Sequence, residues 1–150
     1  MSGIDLPFGE ALPAETAPAK SVAEVALVIA GWCMLAFIDV TLRVAGFHRF
    51  YRMVEKWPTL APPRPERRAE VARRTASAID RARVYYFKRA WCLQRAAASV
   101  CLLRLRGVHA ELVIGVRKIP FYAHAWTEVD GEIINDPAAL RTTYSEMTRC

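Results

Sequence analysis

The chain has 150 residues, of which 53% are apolar, and a formal net charge of +6. This length is sufficient for one domain with a hydrophobic core, and the apolar content excludes a chain that is disordered throughout. The four cysteines form no Cys-x-x-Cys pair, and three acids precede Lys20, so the N-terminus does not resemble a secretory signal. We therefore expect a cytoplasmic protein with free thiols.

The N-terminal part of the chain is predicted to be a tail followed by helices. Residues 1–20 contain three prolines and little periodicity, so they are expected to form a mobile tail. Ser21 begins a capping box, and helical structure is predicted over 21–56 with a break near Gly46. The segment 57–65 contains four prolines and is predicted to be a linker.

The longest apolar run, Val25–Ile38, contains fourteen residues. A helix that spans a membrane needs about 20 residues. The run therefore favours a helix that is buried or that docks on a partner. Peripheral contact with a membrane surface is the less favoured alternative.

Basic side chains concentrate in the middle of the chain. From Arg64 to Arg106, twelve arginines and lysines face three acids, which gives this segment +9 and the remainder −3. Such a surface can attract acidic peptides, acidic proteins or nucleic acid, or it is the solvated face of Arg- and Ala-rich helices. No nucleic-acid-binding motif accompanies the charge, so we predict no nucleic-acid partner.

The C-terminal half changes from helical to strand periodicity. Amphipathic helices are predicted over 66–83 and over 92–106, and Gly107 ends the second. Three strands follow, over 110–116, 121–129 and 132–135. Asp130-Gly131 is a hairpin turn signal between the last two strands. Helices followed by an antiparallel sheet indicate an α+β fold.

Three residues in these elements suit the chemistry of a cysteine hydrolase. Cys92 begins the helix predicted over 92–106. At this position the helix dipole and the free N–H groups favour the thiolate and can stabilise an oxyanion. Arg95, one turn further on, could add positive potential. His124 and Asp136 lie on neighbouring strands and would serve as the base and the group that orients it. Cys101 lies about 180° around the helix from Cys92 and is interpreted as a core residue.

The length of the hairpin loop decides whether the histidine and the aspartate can meet. A two-residue loop pairs Val129 with Glu132 and places His124 and Asp136 on opposite faces of the sheet. A three-residue loop places His124 directly across from Asp136, with Cβ atoms about 5 Å apart. A functional triad therefore predicts the three-residue register.

The other cysteines and histidines are interpreted as structural or incidental. Cys33 is expected in the core, and Cys150, His48 and His109 are expected on the surface. A zinc site built from the two helix cysteines and His124 lacks the usual ligand spacing. We predict no metal and no cofactor.

The segment 92–136 resembles the transglutaminase-like leader peptidases of lasso-peptide biosynthesis, the microcin-processing protein family. The resemblance rests on Cys-Leu-x-Arg at the helix start, Leu-Leu-Arg-x-Arg-Gly-Val at its end, Val-Ile-Gly-Val, Ala-His-Ala-Trp and the closing Asn-Asp. Residues 21–90 fit the family loosely, and Ala96 stands where the family usually has serine.

The resemblance implies a papain-like, transglutaminase-type core in which Cys92 is the nucleophile, His124 is the general base and acid, and Asp136 orients His124. The segments expected are a mobile tail over 1–20, helices and a Pro-rich linker over 21–65, and a transglutaminase-like catalytic domain over 66–150. The implied reaction is hydrolysis of one peptide bond in a ribosomally made precursor. This frees the N-terminus of the core peptide for a separate ATP-dependent cyclase.

The resemblance also implies partners. Single-chain members of the family carry a winged-helix leader-recognition domain, for which residues 1–60 are too short and too helical. The chain therefore resembles the split form, and the expected partners are the leader region of the precursor, a separate leader-recognition protein and the lasso cyclase. Two alternative functions stay open. One is acyl transfer to an amine through the same thioester, and the other is a non-catalytic scaffold of the biosynthetic complex.

Overall fold

The computed structural model describes residues 21–87 and 91–150, and the predicted tail over 1–20 lies outside the described residues. The elements in chain order are α1 Val22–Glu55, α2 Pro65–Val84, α3 Cys92–Leu105, β1 Glu111–Arg117, β2 Tyr122–Val129, β3 Glu132–Ile133, α4 Leu140–Thr143 and β4 Ser145–Arg149. The strands form one antiparallel sheet in the order β3-β2-β1-β4. The predicted α+β class, with helices before an antiparallel sheet, is confirmed.

Helix α1 begins and bends where the sequence predicts. The N–H of Glu24 donates to Oγ of the N-cap Ser21 at 3.3 Å. Gly46 has φ 73° and ψ 170°, a conformation that glycine alone adopts readily, and the helix bends there. The helix as a whole is long and apolar enough to cross a membrane by length and composition, and 28% of its most apolar window is buried.

One face of α1 remains apolar and exposed. The residues of this apolar stripe recur at helical spacing: Val22, Val25, Ile29, Trp32, Phe37, Val40, Val44 and Phe47. The opposite face packs on α2 and α3 through fully buried side chains, Leu35, Ile38, Phe50 and Val54. The helix is thus buried along one side, and the interpretation of its other side as a docking surface stays a prediction.

Helix α3 lies at the centre of the molecule, in contact with α1, α2 and the sheet. Its residues Ala96, Ala97, Val100 and Leu103 are fully buried, and Leu93 is partly buried. These small alanines allow the neighbouring elements to approach closely, so α3 holds its N-terminus at a fixed position relative to β2.

The C-terminal segment differs from the prediction. Helix α4 and strand β4 were not expected, and β4 forms an edge of the sheet beside β1. Cys150 was expected to be exposed, but it is half-buried because its backbone N–H and C=O both pair with Leu112. Cys33 was expected in the core, but it is exposed because it lies on the open side of α1. His48 and His109 are exposed, as predicted.

Candidate active site

Cys92 is the first residue of α3, and contacts around it fix the start of this helix. The backbone N–H of Trp91 donates to Oε1 of Gln94 at 2.8 Å, which closes the first turn. The amide of Gln94 then donates to Oδ1 of Asp39 on α1 at 3.1 Å. The thiol is half-buried at a helix N-terminus, where the unpaired N–H groups and the helix dipole favour negative charge.

His124 lies near the start of β2, between aromatic rings. Its ring centroid is 6.4 Å from that of Trp126 and 5.7 Å from that of Tyr144. The Trp126 ring covers Gly115, the β1 partner of His124, where a Cβ would lie 2.7 Å from the indole. The indole N–H donates to the buried carboxylate of Glu128 at 2.9 Å. The imidazole therefore lies beside two rings, of which Trp126 is itself anchored by a hydrogen bond.

The predicted three-residue register of the hairpin is wrong. Val129 pairs with Glu132, which leaves a two-residue loop. Asp130 has φ 51° and Gly131 has φ 79°, and positive φ at both central residues is the type I′ turn. The twist of this turn matches that of the flanking strands, which favours the shorter loop. A continued strand would then have placed His124 and Asp136 on opposite faces.

The two side chains nevertheless meet, because β3 stops after two residues. The N–H of Ile134 donates to the Thr127 carbonyl at 3.1 Å, and the N–H of Thr127 donates to the side-chain oxygen of Asn135 at 2.9 Å. A side chain thus replaces the backbone acceptor that a longer strand would supply. The chain turns away from the ladder and brings Oδ2 of Asp136 to 3.4 Å from Nε2 of His124.

Asp136 lies between two cationic partners. Its Oδ2 is 2.7 Å from Nη2 of Arg95 as well as near His124, and the Asp136 side chain is only 15% exposed. Burial raises the pKa of the Asp136 carboxyl, but the hydrogen bond from His124 and the charge of Arg95 outweigh burial and hold the pKa below its ordinary value. The carboxyl is therefore ionised at neutral pH.

The thiol and the imidazole favour each other's charged form. The hydrogen bond with His124 lowers the pKa of Cys92 despite burial, and the N–H groups of Ala125 and Leu93 lower it further. Hydrogen bonds with Asp136 and then with Cys92 raise the pKa of His124 to about 9. Because Nε2 faces Asp136, Nδ1 is the ring nitrogen left for the thiol. The structure thus brings a thiol, an imidazole and a carboxylate together, and these are the group types that thiolate catalysis uses.

Alkylation of the thiol tests this electrostatic arrangement. Because the pKa of Cys92 is lowered and that of His124 is raised, the thiolate should persist on the acidic side of an ordinary thiol pKa. At about pH 6.5, we expect iodoacetamide to modify Cys92 on the order of 10- to 100-fold faster in the parent protein than in His124→Ala. Peptide mapping by mass spectrometry gives the rate at each cysteine, with the exposed Cys33 as internal control. Equal rates in the two proteins would contradict the ion pair.

Several site residues were not anticipated in their actual roles. Arg95 was expected to act on the thiol, but its guanidinium reaches Asp136. Asn135, which shapes the end of β3, and Tyr144, which lies against His124, were not assigned roles. The Asn-Asp pair at the end of a short strand is the signal that could have identified Asn135.

Cys101 is separated from this site. It is fully buried, as predicted, and burial raises the pKa of its thiol to about 12. Such a thiol is an inert core side chain. Within residues 21–87 and 91–150, no group of three or more His, Cys, Asp or Glu side chains could hold a metal ion.

Comparisons with known proteins agree with the resemblance. The model of the Transglutaminase-like superfamily matches residues 16–149. Microcin J25-processing protein McjB of Escherichia coli is 46% identical over 54 residues, which are 36% of this chain and 26% of that protein. The match thus spans about a quarter of the length of that relative. No solved structure matches the chain.

Proposed function

The chain belongs to the transglutaminase-like superfamily, and we propose that it is a cysteine peptidase that removes the leader from a ribosomally made lasso-peptide precursor. The observation that carries the proposal is the juxtaposition of Cys92, His124 and Asp136. The similarity to a microcin J25-processing protein supports a precursor of this class as the substrate. The released core peptide would then be cyclised by a separate ATP-dependent enzyme.

The proposed reaction has two steps. The Cys92 thiolate attacks the scissile carbonyl, and the N–H groups at the start of α3 stabilise the oxyanion of the tetrahedral intermediate. The imidazolium of His124 gives its proton to the leaving amine, which departs as the N-terminus of the core peptide. His124 then takes a proton from water, which hydrolyses the thioester and releases the leader as a carboxylic acid. Asp136 keeps the imidazole turned toward both reacting groups.

The proposed partners are the leader region of the precursor, a separate leader-recognition protein and the lasso cyclase, and the proposed location is the cytoplasm. The apolar stripe of α1 supports a protein partner on that side, because a contiguous exposed apolar surface typically marks an interaction site.

The products of the reaction distinguish hydrolysis from acyl transfer. We expect the chain, the precursor and the recognition protein together to give two peptides whose masses sum to the precursor plus one water. Omitting the recognition protein should slow the reaction, whereas adding the cyclase should not be needed for cleavage. Mass spectrometry of the quenched mixture measures this directly. A leader peptide joined to an amine, formed with release of the core peptide and without gain of water, would instead favour the acyltransferase alternative.

A further inference from the structure

Arg95 joins the helix of the nucleophile to the segment that carries the carboxylate. Its side chain is only 11% exposed, and its Nη2 lies 2.7 Å from Oδ2 of Asp136. The same nitrogen donates to the backbone carbonyl of Asn135. Its Nη1 lies 3.7 Å from Oδ1 of Asp80 on α2. One guanidinium thus contacts two consecutive residues of the segment after β3 and faces a third element.

The segment that carries Asp136 has few other constraints. The paired strand residues end at Ile133, the Ile134 N–H still donates to the Thr127 carbonyl, and Asp136 lies beyond both, outside the sheet. Asn135 is held to β2 through its side chain, and the carbonyl of the same residue accepts from Arg95. Apart from Arg95, the Asp136 carboxylate contacts His124 itself, at 3.4 Å from Nε2, which is a longer approach than the 2.7 Å to Nη2 of Arg95.

We propose that Arg95 is a positioning residue, which fixes the Asp136 carboxylate in the orientation that His124 requires. The guanidinium is planar, so the two N–H bonds of Nη2 point in fixed, diverging directions toward the Asn135 carbonyl and the Asp136 carboxylate, whereas the ammonium of lysine is a compact donor on a flexible stem. Burial of this cation is tolerated because the ionised Asp136 compensates its charge. The catalytic consequence rests on the proposed function, but the positioning itself does not.

The pKa of His124 reports this role without any peptide substrate. If Arg95 acts by holding Asp136, its loss removes the contact that raises the His124 pKa to about 9. If Arg95 were only a nearby positive charge, its loss would raise the pKa of His124, because a like charge disfavours the imidazolium. The two roles therefore shift the pKa in opposite directions.

The experiment is an NMR titration of the imidazoles, of which the chain has three, with His124→Ala providing the assignment. In Arg95→Met, we expect the His124 pKa to fall to the value found in Asp136→Ala, and the double variant to show no further change. Arg74→Met, which removes an exposed guanidinium paired with Glu70, is the matched control and should leave the value unchanged. A pKa that stays at the parent value or rises in Arg95→Met, or a further fall in the double variant, would overturn the proposal.

A conservative variant keeps the test decisive if Arg95→Met fails to fold. Arg95→Lys retains the charge but loses the planar guanidinium, so we expect a His124 pKa between the parent and Asp136→Ala values. A parent-like value would overturn the proposed role of the guanidinium geometry. Where cleavage is observed, Arg95→Met should lower kcat on the order of 10²-fold with little change in KM, because Arg95 acts through Asp136. Absence of cleavage in the parent would count against the proposed function alone, since the titration does not depend on it.

Discussion

Replacing Cys92 with alanine is expected to reduce precursor cleavage to the uncatalysed background, a loss on the order of 10⁶-fold in kcat. The variant lacks the atom that would form the thioester, and Cys150 lies after β4, where its backbone pairs with Leu112 on β1. Cys101 is fully buried and Cys33 lies on the exposed side of α1. Single-turnover cleavage followed by mass spectrometry, with thermal unfolding to confirm the fold, measures the effect.

The exposed thiol of Cys33 provides the matched control for this change. Cys33→Ala removes the same sulfur atom from a solvent-exposed helix position and should leave kcat unchanged. If Cys92→Ala retained full activity, the chain would be a scaffold, and the peptidase proposal would fail.

The remaining members of the triad should not contribute additively. His124→Ala should cost about as much as Cys92→Ala, and the double variant should cost little more, because nucleophile and base act as one unit. Asp136→Ala should leave a remnant on the order of 10²-fold above those variants, since the carboxylate orients the base without bonding to substrate. Additive losses across the three sites would indicate that the residues act independently.

The sequence predicts those features that depend on local periodicity and on residue chemistry. The alanine-rich face of α3 indicates that the helix is buried, and the start of the same helical pattern places Cys92 at the helix N-terminus. The Asp130-Gly131 turn is likewise local, because each residue need only adopt positive φ. Gly46 marks the bend in α1 for the same reason. These signals lie within a few residues of the structure that they specify.

The predictions that were wrong concern features that depend on contacts between distant parts of the chain. The approach of His124 and Asp136 was expected from strand register, but it arises because the Asn135 side chain accepts the Thr127 N–H and ends the ladder. No periodicity reveals a side chain that replaces a backbone acceptor. The position of Cys150 depends in the same way on β4 pairing with β1, since an edge strand of mixed polarity has no strong pattern of its own.

The position of α3 also depends on the linker after α1, which packs against the helix end. Gly107 follows α3 with φ 76°, a conformation that favours glycine. The linker is anchored beside it, because the N–H of Leu60 donates to the Arg104 carbonyl at 2.9 Å. The buried guanidinium of Arg104 donates in turn to the Val54 carbonyl at 2.6 Å. The linker backbone therefore has little freedom to move away from Gly107.

Replacing Gly107 with alanine is thus expected to destabilise the fold by about 3 kcal/mol, from backbone strain and from displacement of the linker. The new Cβ would lie 2.1 Å from the carbonyl oxygen of Ala61, so backbone must move. Gly131→Ala is the matched control, with φ 79° but no atom within 4 Å of its Cβ, and it should cost only about 1 kcal/mol. Thermal unfolding should show a Tm about 10 °C lower for Gly107→Ala and only a few degrees lower for Gly131→Ala. Equal shifts would mean that the linker yields freely and that backbone conformation alone determines the need for glycine.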